Sequence, residues 1–189
     1  LILGDNIIYG KKIEKLLAKV SQSKKQSILI KFVKEPNKYG VVKFQDRKAI
    51  EIIEKPKKYI SNYAVTGIYF YSNKVIKYAK KLKPSKRKEL EITDLNNLLF
   101  NKKELKIFKF NKKHHWYNAG NHEDYLKACI DVRKYEISTN KLVGSLEIES
   151  FKKKYLSKKK ILNNIKNNNI YYEKIIRILK WLYTKNYLK

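Results

Sequence analysis

Short apolar runs suited to β-strands alternate along this chain with segments of helical period, and that alternation restricts the fold more than any other feature. Residues 27–33 form a run of the buried β type, and residues 65–71 form another, rich in β-branched and aromatic side chains. Between them, Val41-Val42-Lys43-Phe44 and Ile50-Glu51-Ile52-Ile53-Glu54 predict two strands joined around Gln45-Asp46-Arg47, with Pro56 stopping the second. Glu35-Pro36-Asn37-Lys38-Tyr39-Gly40 reads as a turn, because proline presets one φ and glycine admits others. Residues 105–110 alternate like a further strand. Helical spacing fills residues 13–20. Asn73 can cap a helix with Val75, Ile76, Ala79 and Leu82 on one face, ended by Pro84, and residues 93–100 turn Leu95, Leu98 and Leu99 inward. Asn121-His122-Glu123-Asp124 sets a cap and two acids where a helix dipole favours them, ahead of a core face of Tyr125, Leu126, Cys129, Ile130 and Val132. Beyond Gly144 come lysine-studded helical segments that end in residues 171–188, interrupted by an asparagine-rich loop at 163–169. Strands alternating with helices predict an α/β fold, with a mostly parallel sheet and an antiparallel insertion.

A chain of 189 residues suits one domain with a real core, and 43% apolar content argues against disorder despite a net charge of +28. The charge invites a nucleic-acid-binding reading, since clustered cations release counterions from phosphates. Of the 45 cations, however, 41 are lysine and 4 are arginine, the better fork for guanine edges and phosphates. Lysine, asparagine, isoleucine and tyrosine supply 96 of the 189 residues, and all four are read from A/T-rich codons, so base composition is the simpler source of the charge. A single cysteine, Cys129, rules out an internal disulfide scaffold and suits a reducing cytosol. No run approaches the roughly 18 uncharged apolar residues of a membrane span, and no signal peptide opens the chain, so a cytoplasmic protein is expected. No methionine occurs, and Leu1-Ile2-Leu3-Gly4-Asp5 reads as a short strand entering a turn, so the chain is expected to be a piece of something longer.

Several segments could carry chemistry. Asp5 lies just past the carboxyl end of a strand, where α/β sheets place ligands, and a carboxylate there can hold a hard divalent cation or serve the turn alone. Glu54-Lys55-Pro56 sets an acid and a base at a strand end. The glutamate can accept from sugar hydroxyls while the lysine faces a phosphate; a solvated ion pair is the simpler alternative. Asn62-Tyr63-Ala64-Val65-Thr66-Gly67 enters a strand with glycine near its start, as where something packs closely on the backbone. His114 and His115 are adjacent and point to opposite faces of a strand with no cysteine near, which argues against zinc. Neither a nucleophile elbow, nor G-x-G-x-x-G, nor a Walker loop occurs.

Seven motifs then stand in order: Leu3-Gly4-Asp5-Asn6 with Tyr9-Gly10, Tyr39-Gly40-Val41-Val42, Glu54-Lys55-Pro56, the unbroken stretch 61–71, Leu82-Lys83-Pro84-Ser85, Glu89-Leu90-Glu91-Ile92-Thr93-Asp94, and the stretch 116–122. With them the sequence resembles the glucose-1-phosphate thymidylyltransferases, a family of sugar nucleotidyltransferases. The likeness is clear over residues 1–133 and looser through 142–151. It implies an α/β fold with a nucleotidyltransferase-type, Rossmann-like mixed sheet, truncated at the N-terminus. The sugar-binding part of the catalytic domain would cover residues 1–140, and a C-terminal helical region residues 141–189. It also implies the joining of glucose 1-phosphate to dTTP, giving dTDP-glucose and pyrophosphate. The sugar phosphate attacks the α-phosphorus directly while Mg²⁺ and cationic side chains hold the charge. By that resemblance Asp5 is a Mg²⁺ ligand, and Asn6 touches the sugar nucleotide. Gly40, Glu54 and Val65 line the glucose pocket, Glu54 through its carboxylate and the others through backbone groups. Lys55 faces the sugar phosphate as the catalytic cation. A homotetramer, a deoxysugar destined for surface polysaccharide, and no nucleic-acid or membrane partner complete the implied picture.

Two departures from the family pattern matter. Its second magnesium ligand is an aspartate two residues after the tryptophan, whereas Asn118 stands here and offers a carbonyl oxygen without the charge. Its N-terminal part, with the glycine-rich nucleotide loop, an arginine, a catalytic lysine and the base-reading residues, has no counterpart in these residues. Two other readings follow: an inactive remnant or assembly-only subunit needing a separate N-terminal piece, and a basic nucleic-acid-binding module, which requires lysines gathered on one face.

Overall fold

Residues 1–85, 87–165 and 170–184 are described by the computed structural model, and they divide into two units, Leu1–Tyr125 and Leu126–Lys189. The first unit contains β1 (Asn6–Gly10), α1 (Ile13–Ser21), β2 (Gln26–Phe32), a 3₁₀ turn at Pro36–Lys38, β3 (Gly40–Gln45), β4 (Lys48–Glu54) and β5 (Tyr63–Phe70). It continues through α2 (Val75–Ala79), α3 (Ile92–Asn101), β6 (Leu105–Lys109), β7 (His114–Asn118) and the start of α4 (His122–Thr139).

Five strands make one mixed sheet in the order β4-β3-β5-β2-β6. Its direction differs from the expected mostly parallel sheet: only β2 and β6 run parallel, and the pairs β2–β5, β3–β4 and β3–β5 are antiparallel. The reason lies in the connections. β3 and β4 join through Asp46 and Arg47, both at positive φ (47° and 64°), the signature of a tight hairpin, and such a turn can only reverse the chain. The hairpin register sets Val42 against Ile52 and Gly40 against Glu54. A separate two-stranded ribbon pairs β1 with β7 over Asn6↔Asn118 to Gly10↔His114. Leu1–Leu3 do not extend into a strand; Ile2 makes an isolated bridge to Ile68 of β5, with Tyr69 N–H donating to the Leu1 carbonyl at 2.8 Å.

Alternation along β2 sends side chains into two cores. Ile28 and Ile30 face one side, with Val42, Ile52, Val65 and Tyr69 and with Leu95 and Leu99 of α3. Leu29 faces the other, with Ala64 and Ile68, Val20 of α1, and Phe110 and Trp116, the last carried by β7. The ribbon is thus fastened to one face of the sheet and α3 to the other.

Two helices depart from their sequence pattern. α2 spans five residues from Val75, and Asn73 gives it no side-chain cap. The chain tightens after Ala79, Leu82 N–H donating to the Ala79 carbonyl at 3.2 Å. Leu82 therefore packs on the core while Ile76 stays 53% exposed. In α4 the expected core face turns outward: Tyr125, Leu126 and Ile130 are 56%, 61% and 45% exposed, and Ala128 is the buried residue among those described. Periodicity identifies which face of a helix is apolar, whereas burial of that face depends on what the tertiary structure packs over it.

The second unit adds α5 (Leu146–Lys152), α6 (Lys158–Asn164) and α7 (Ile170–Thr184). Ile148, Phe151, Ile161, Ile175, Leu179 and Leu182 form its core. Ser145 and Ser157 accept the N–H groups of Ile148 and Lys160, capping α5 and α6. Asn163 and Asn164 belong to α6 rather than to a loop, while 166–169 and 185–188 lie outside the described residues. No helix among the described residues is long and apolar enough to cross a membrane.

Candidate functional site

Glu54 ends the edge strand β4, and its surroundings hold its carboxylate from three sides. The Thr93 hydroxyl, in the first turn of α3, donates to Oε2. The Arg87 guanidinium lies 4.0 Å from Oε1, 3.6 Å from Glu91 Oε1 and 2.9 Å from Glu89 Oε2. Gly40 sits opposite on β3, where a β-carbon would stand 3.0 Å from the Thr93 hydroxyl oxygen and 3.1 Å from Glu54 Oε2. Glycine is present because the carboxylate and its donor occupy the side-chain space. Lys55 follows at φ 41°, a left-handed conformation that costs a non-glycine residue about 1–3 kcal/mol. Its N–H donates to the Tyr39 carbonyl at 3.0 Å, which holds the bend, and its side chain is exposed. The Val65 side chain is part of the core, so only its backbone remains for a ligand.

Asp5, Asn6 and Asn118 meet at one end of the ribbon, where Asn6 pairs with Asn118. Asp5 Oδ1 accepts from the Asn6 amide at 2.7 Å, and the Asp5 carbonyl accepts from Ala119 N–H at 2.6 Å. The other carboxylate oxygen, Oδ2, converges with Asn118 Oδ1: a β-carbon built on Gly120 would lie 3.3 Å from the first and 2.9 Å from the second. Asn118 Oδ1 also accepts Gly120 N–H at 3.0 Å. Asn6 Oδ1 receives the Trp116 indole N–H and, at 3.3 Å, Gly67 N–H of β5. A side chain at Gly67 would strike the Asn6 amide, which accounts for the close approach expected there from sequence.

The two clusters share an electrostatic neighbourhood. Burial, and then the charges of Glu54 and Asp5, push the Tyr69 phenol up to about 12. Burial first, with the Asp124 charge next and Lys38 opposing, raises Tyr39, whose ring packs edge-on at 5.1 Å from Trp116. Asp5 and Asn118 present hard oxygen donors of the kind a small divalent cation takes, with one formal charge between them. Among the described residues no three His, Cys, Asp or Glu side chains gather as a metal cage. An ion held here would therefore complete its shell with water and phosphate oxygens.

Sequence reasoning singled out Asp5, Asn6, Gly40, Glu54, Lys55, Val65 and Asn118; the structure gathers Gly40, Glu54 and Lys55 in one cluster and Asp5, Asn6 and Asn118 in the other. It did not give Arg87, Thr93 or Tyr69 a role. Arg87 carried a usable signal: it is one of only 4 arginines in a chain where nearly every cation is lysine. Thr93 and Tyr69 lay inside the motif stretches 89–94 and 61–71, but no local pattern singled them out, because their relevance depends on what α3 and β5 pack beside.

Comparison with known proteins follows the same lines. A glucose-1-phosphate thymidylyltransferase from Neisseria meningitidis serogroup A is 35% identical over 95% of this chain and 64% of its own length. Another from Xanthomonas campestris pv. campestris is 41% identical over 68% of this chain and 44% of its own. The chain thus spans less than two thirds of each of these relatives. A Bacillus anthracis structure assigned as a glucose-1-phosphate thymidylyltransferase and solved with a sucrose superposes with a TM-score of 0.60 at 42% identity, covering 70% of this chain and 53% of that one. A UDP-glucose pyrophosphorylase complexed with UDP-glucose shares the fold, with a TM-score of 0.61 at 23% identity. The family model described as Nucleotidyl transferase matches residues 1–134, and the chain belongs to that family.

Proposed function

We propose that this chain is the sugar-phosphate-binding portion of a glucose-1-phosphate thymidylyltransferase. The observation that carries the reading is geometric: a carboxylate at Glu54 held by Thr93 over Gly40, with a second oxygen pair at Asp5 and Asn118 beside Gly120. In the reaction, an oxygen of the glucose 1-phosphate phosphate attacks the α-phosphorus of dTTP. A new P–O bond forms, the bond to the β-phosphate breaks, and pyrophosphate leaves. Glu54 accepts from glucose hydroxyls, while backbone groups of Gly40 and Val65 line the same pocket. Lys55, free in side chain, offers its ammonium to the sugar phosphate, and Asn6 contacts the sugar nucleotide. Asp5 and Asn118 are the residues that would hold Mg²⁺, which supplies charge neutralisation for the phosphates when bound. Residues 1–140 serve this catalytic portion and 141–189 a helical extension, within a cytoplasmic homo-oligomer, a tetramer by family likeness, that feeds deoxysugar synthesis for surface polysaccharide.

The purified chain alone is expected to bind glucose 1-phosphate but not to form dTDP-glucose. Pyrophosphate release from dTTP and glucose 1-phosphate by the 189-residue chain would overturn the second half of that statement. Calorimetry showing no glucose 1-phosphate binding overturns the first. The loss of one carboxylate at Asn118 favours a second reading, a subunit that only assembles with a partner piece. Adding the N-terminal third of a relative in trans separates the two: recovered turnover supports the enzyme, and assembly without turnover supports the second reading.

A further inference from the structure

We propose that Asn97 is a positioning residue for the Glu54 carboxylate, acting through the register of α3 on β4. The inference rests on the sugar-binding role proposed above for Glu54.

β4 is the outer strand of the sheet, and an outer strand leaves a row of backbone groups without a neighbouring strand. At Ile52 the Asn97 side chain takes that place. Its Oδ1 accepts Ile52 N–H at 2.9 Å, and its Nδ2 donates to the Ile52 carbonyl at 2.7 Å. A side-chain amide carries one acceptor and two donors on one planar group, so it can satisfy both backbone groups of a single residue as a strand would. No other common side chain of that length does so.

The same helix grips the same strand a second time. Thr93 lies four residues before Asn97, and its hydroxyl donates to Glu54, two residues beyond Ile52. Four helical residues rise about 6 Å. Two strand residues rise about 6.8 Å. The two spacings match, so α3 and β4, running oppositely, meet at both points at once. Asn97 sets the axial register, and Thr93 reads it out on the carboxylate. With Oε2 held by Thr93, Oε1 is left toward Arg87 at 4.0 Å. If the helix slips along the strand, Thr93 loses Oε2 and the carboxylate is free to swing onto the guanidinium. That swing removes an acceptor from the sugar side.

The test uses the full 189-residue chain and three variants: Asn97→Ala, Asn97→Asp, and Val20→Ala as a control from the core on the opposite face of the sheet. Asn97→Asp keeps the acceptor for Ile52 N–H but turns a carboxylate oxygen on the Ile52 carbonyl. The first readout needs no ligand: amide hydrogen exchange at Ile52, together with NMR chemical shifts of Glu54 and Thr93. Faster exchange with displaced Glu54 and Thr93 signals is expected in both Asn97 variants and not in Val20→Ala. Faster exchange with unmoved Glu54 and Thr93 signals overturns the proposal, leaving Asn97 as an edge cap only. The second readout is calorimetric affinity for glucose 1-phosphate, expected to weaken about fivefold in Asn97→Ala, the equivalent of one hydrogen bond. Val20→Ala should lower the melting temperature without moving that affinity. An affinity loss equal in Val20→Ala and Asn97→Ala also overturns the proposal. Displaced Glu54 and Thr93 signals in the Asn97 variants, together with a wild-type chain that does not bind glucose 1-phosphate, would sustain the positioning role and defeat the sugar-binding one.

Discussion

The five-stranded sheet and the β1–β7 ribbon each carry half of the candidate site, and they hold their functional groups by different means. In the sheet, Glu54 stands at the end of a strand whose neighbours are buried apolar residues, and a hydroxyl, a guanidinium and a glycine surround its carboxylate. In the ribbon, Asp5, Asn6 and Asn118 are arranged by amide hydrogen bonds, with a single formal charge among them. Apolar packing makes the first half tolerant of change nearby but intolerant of change at the carboxylate. Directional polar contacts hold the second half, where Asn118 Oδ1 already accepts Gly120 N–H, so a carboxylate at 118 keeps that acceptor.

Removing the charge in the sheet half should have the largest effect. Glu54→Gln is expected to weaken glucose 1-phosphate binding about tenfold to a hundredfold, the range for a hydrogen bond to a charged acceptor, with little loss of melting temperature. An unchanged calorimetric affinity removes Glu54 from the sugar site. Restoring charge in the ribbon half comes next: Asn118→Asp should tighten Mg²⁺ binding on the order of tenfold, since a full charge is added at an oxygen already in place. A magnesium titration that does not move excludes position 118 as a ligand.

Smaller effects probe the ribbon's attachment. Trp116→Phe keeps the ring in its core but deletes the indole N–H that Asn6 accepts, and about 1 kcal/mol of unfolding free energy should be lost in urea titration. No loss would mean that the Gly67 N–H and the Asp5 carboxylate hold Asn6 without the indole. At the far end of the ribbon His114 pairs with Gly10 and is buried. Burial, partly offset by a hydrogen bond to the Lys11 backbone and reinforced by the Lys31 and His115 charges, holds its imidazole below the ordinary value. The unfolded chain therefore takes the proton more readily. Stability from this group is intact above the unfolded value of about 6.5 and declines as pH falls through it. Melting curves at pH 7.5 and 5.5 should show a drop that His114→Gln reduces; an equal drop in the variant assigns the acid sensitivity elsewhere.

The sheet half was far more legible in the sequence than the ribbon half. β2 and β5 announce themselves through continuous apolar runs, because burial on both faces demands such runs, and the β3–β4 hairpin through its tight turn. β1 carried no comparable signal: Ile7, Ile8 and Tyr9 become a strand by pairing with residues more than a hundred positions away. The outward face of α4 shows the converse, apolar side chains grouped in sequence that stay exposed at Tyr125, Leu126 and Ile130.

Local pattern by itself determined the α/β class, the strand and helix positions along residues 13–110, and, through motif resemblance, the seven residues assigned to the site. Such information is local because propensity, turn chemistry and periodicity act within a few residues. Tertiary structure alone decided that β5 runs antiparallel to β2 and β3, the meeting of Asp5 with Asn118, and the grip of α3 on β4. Each of these depends on which element lies beside which, and long-range register is set by packing the whole core at once.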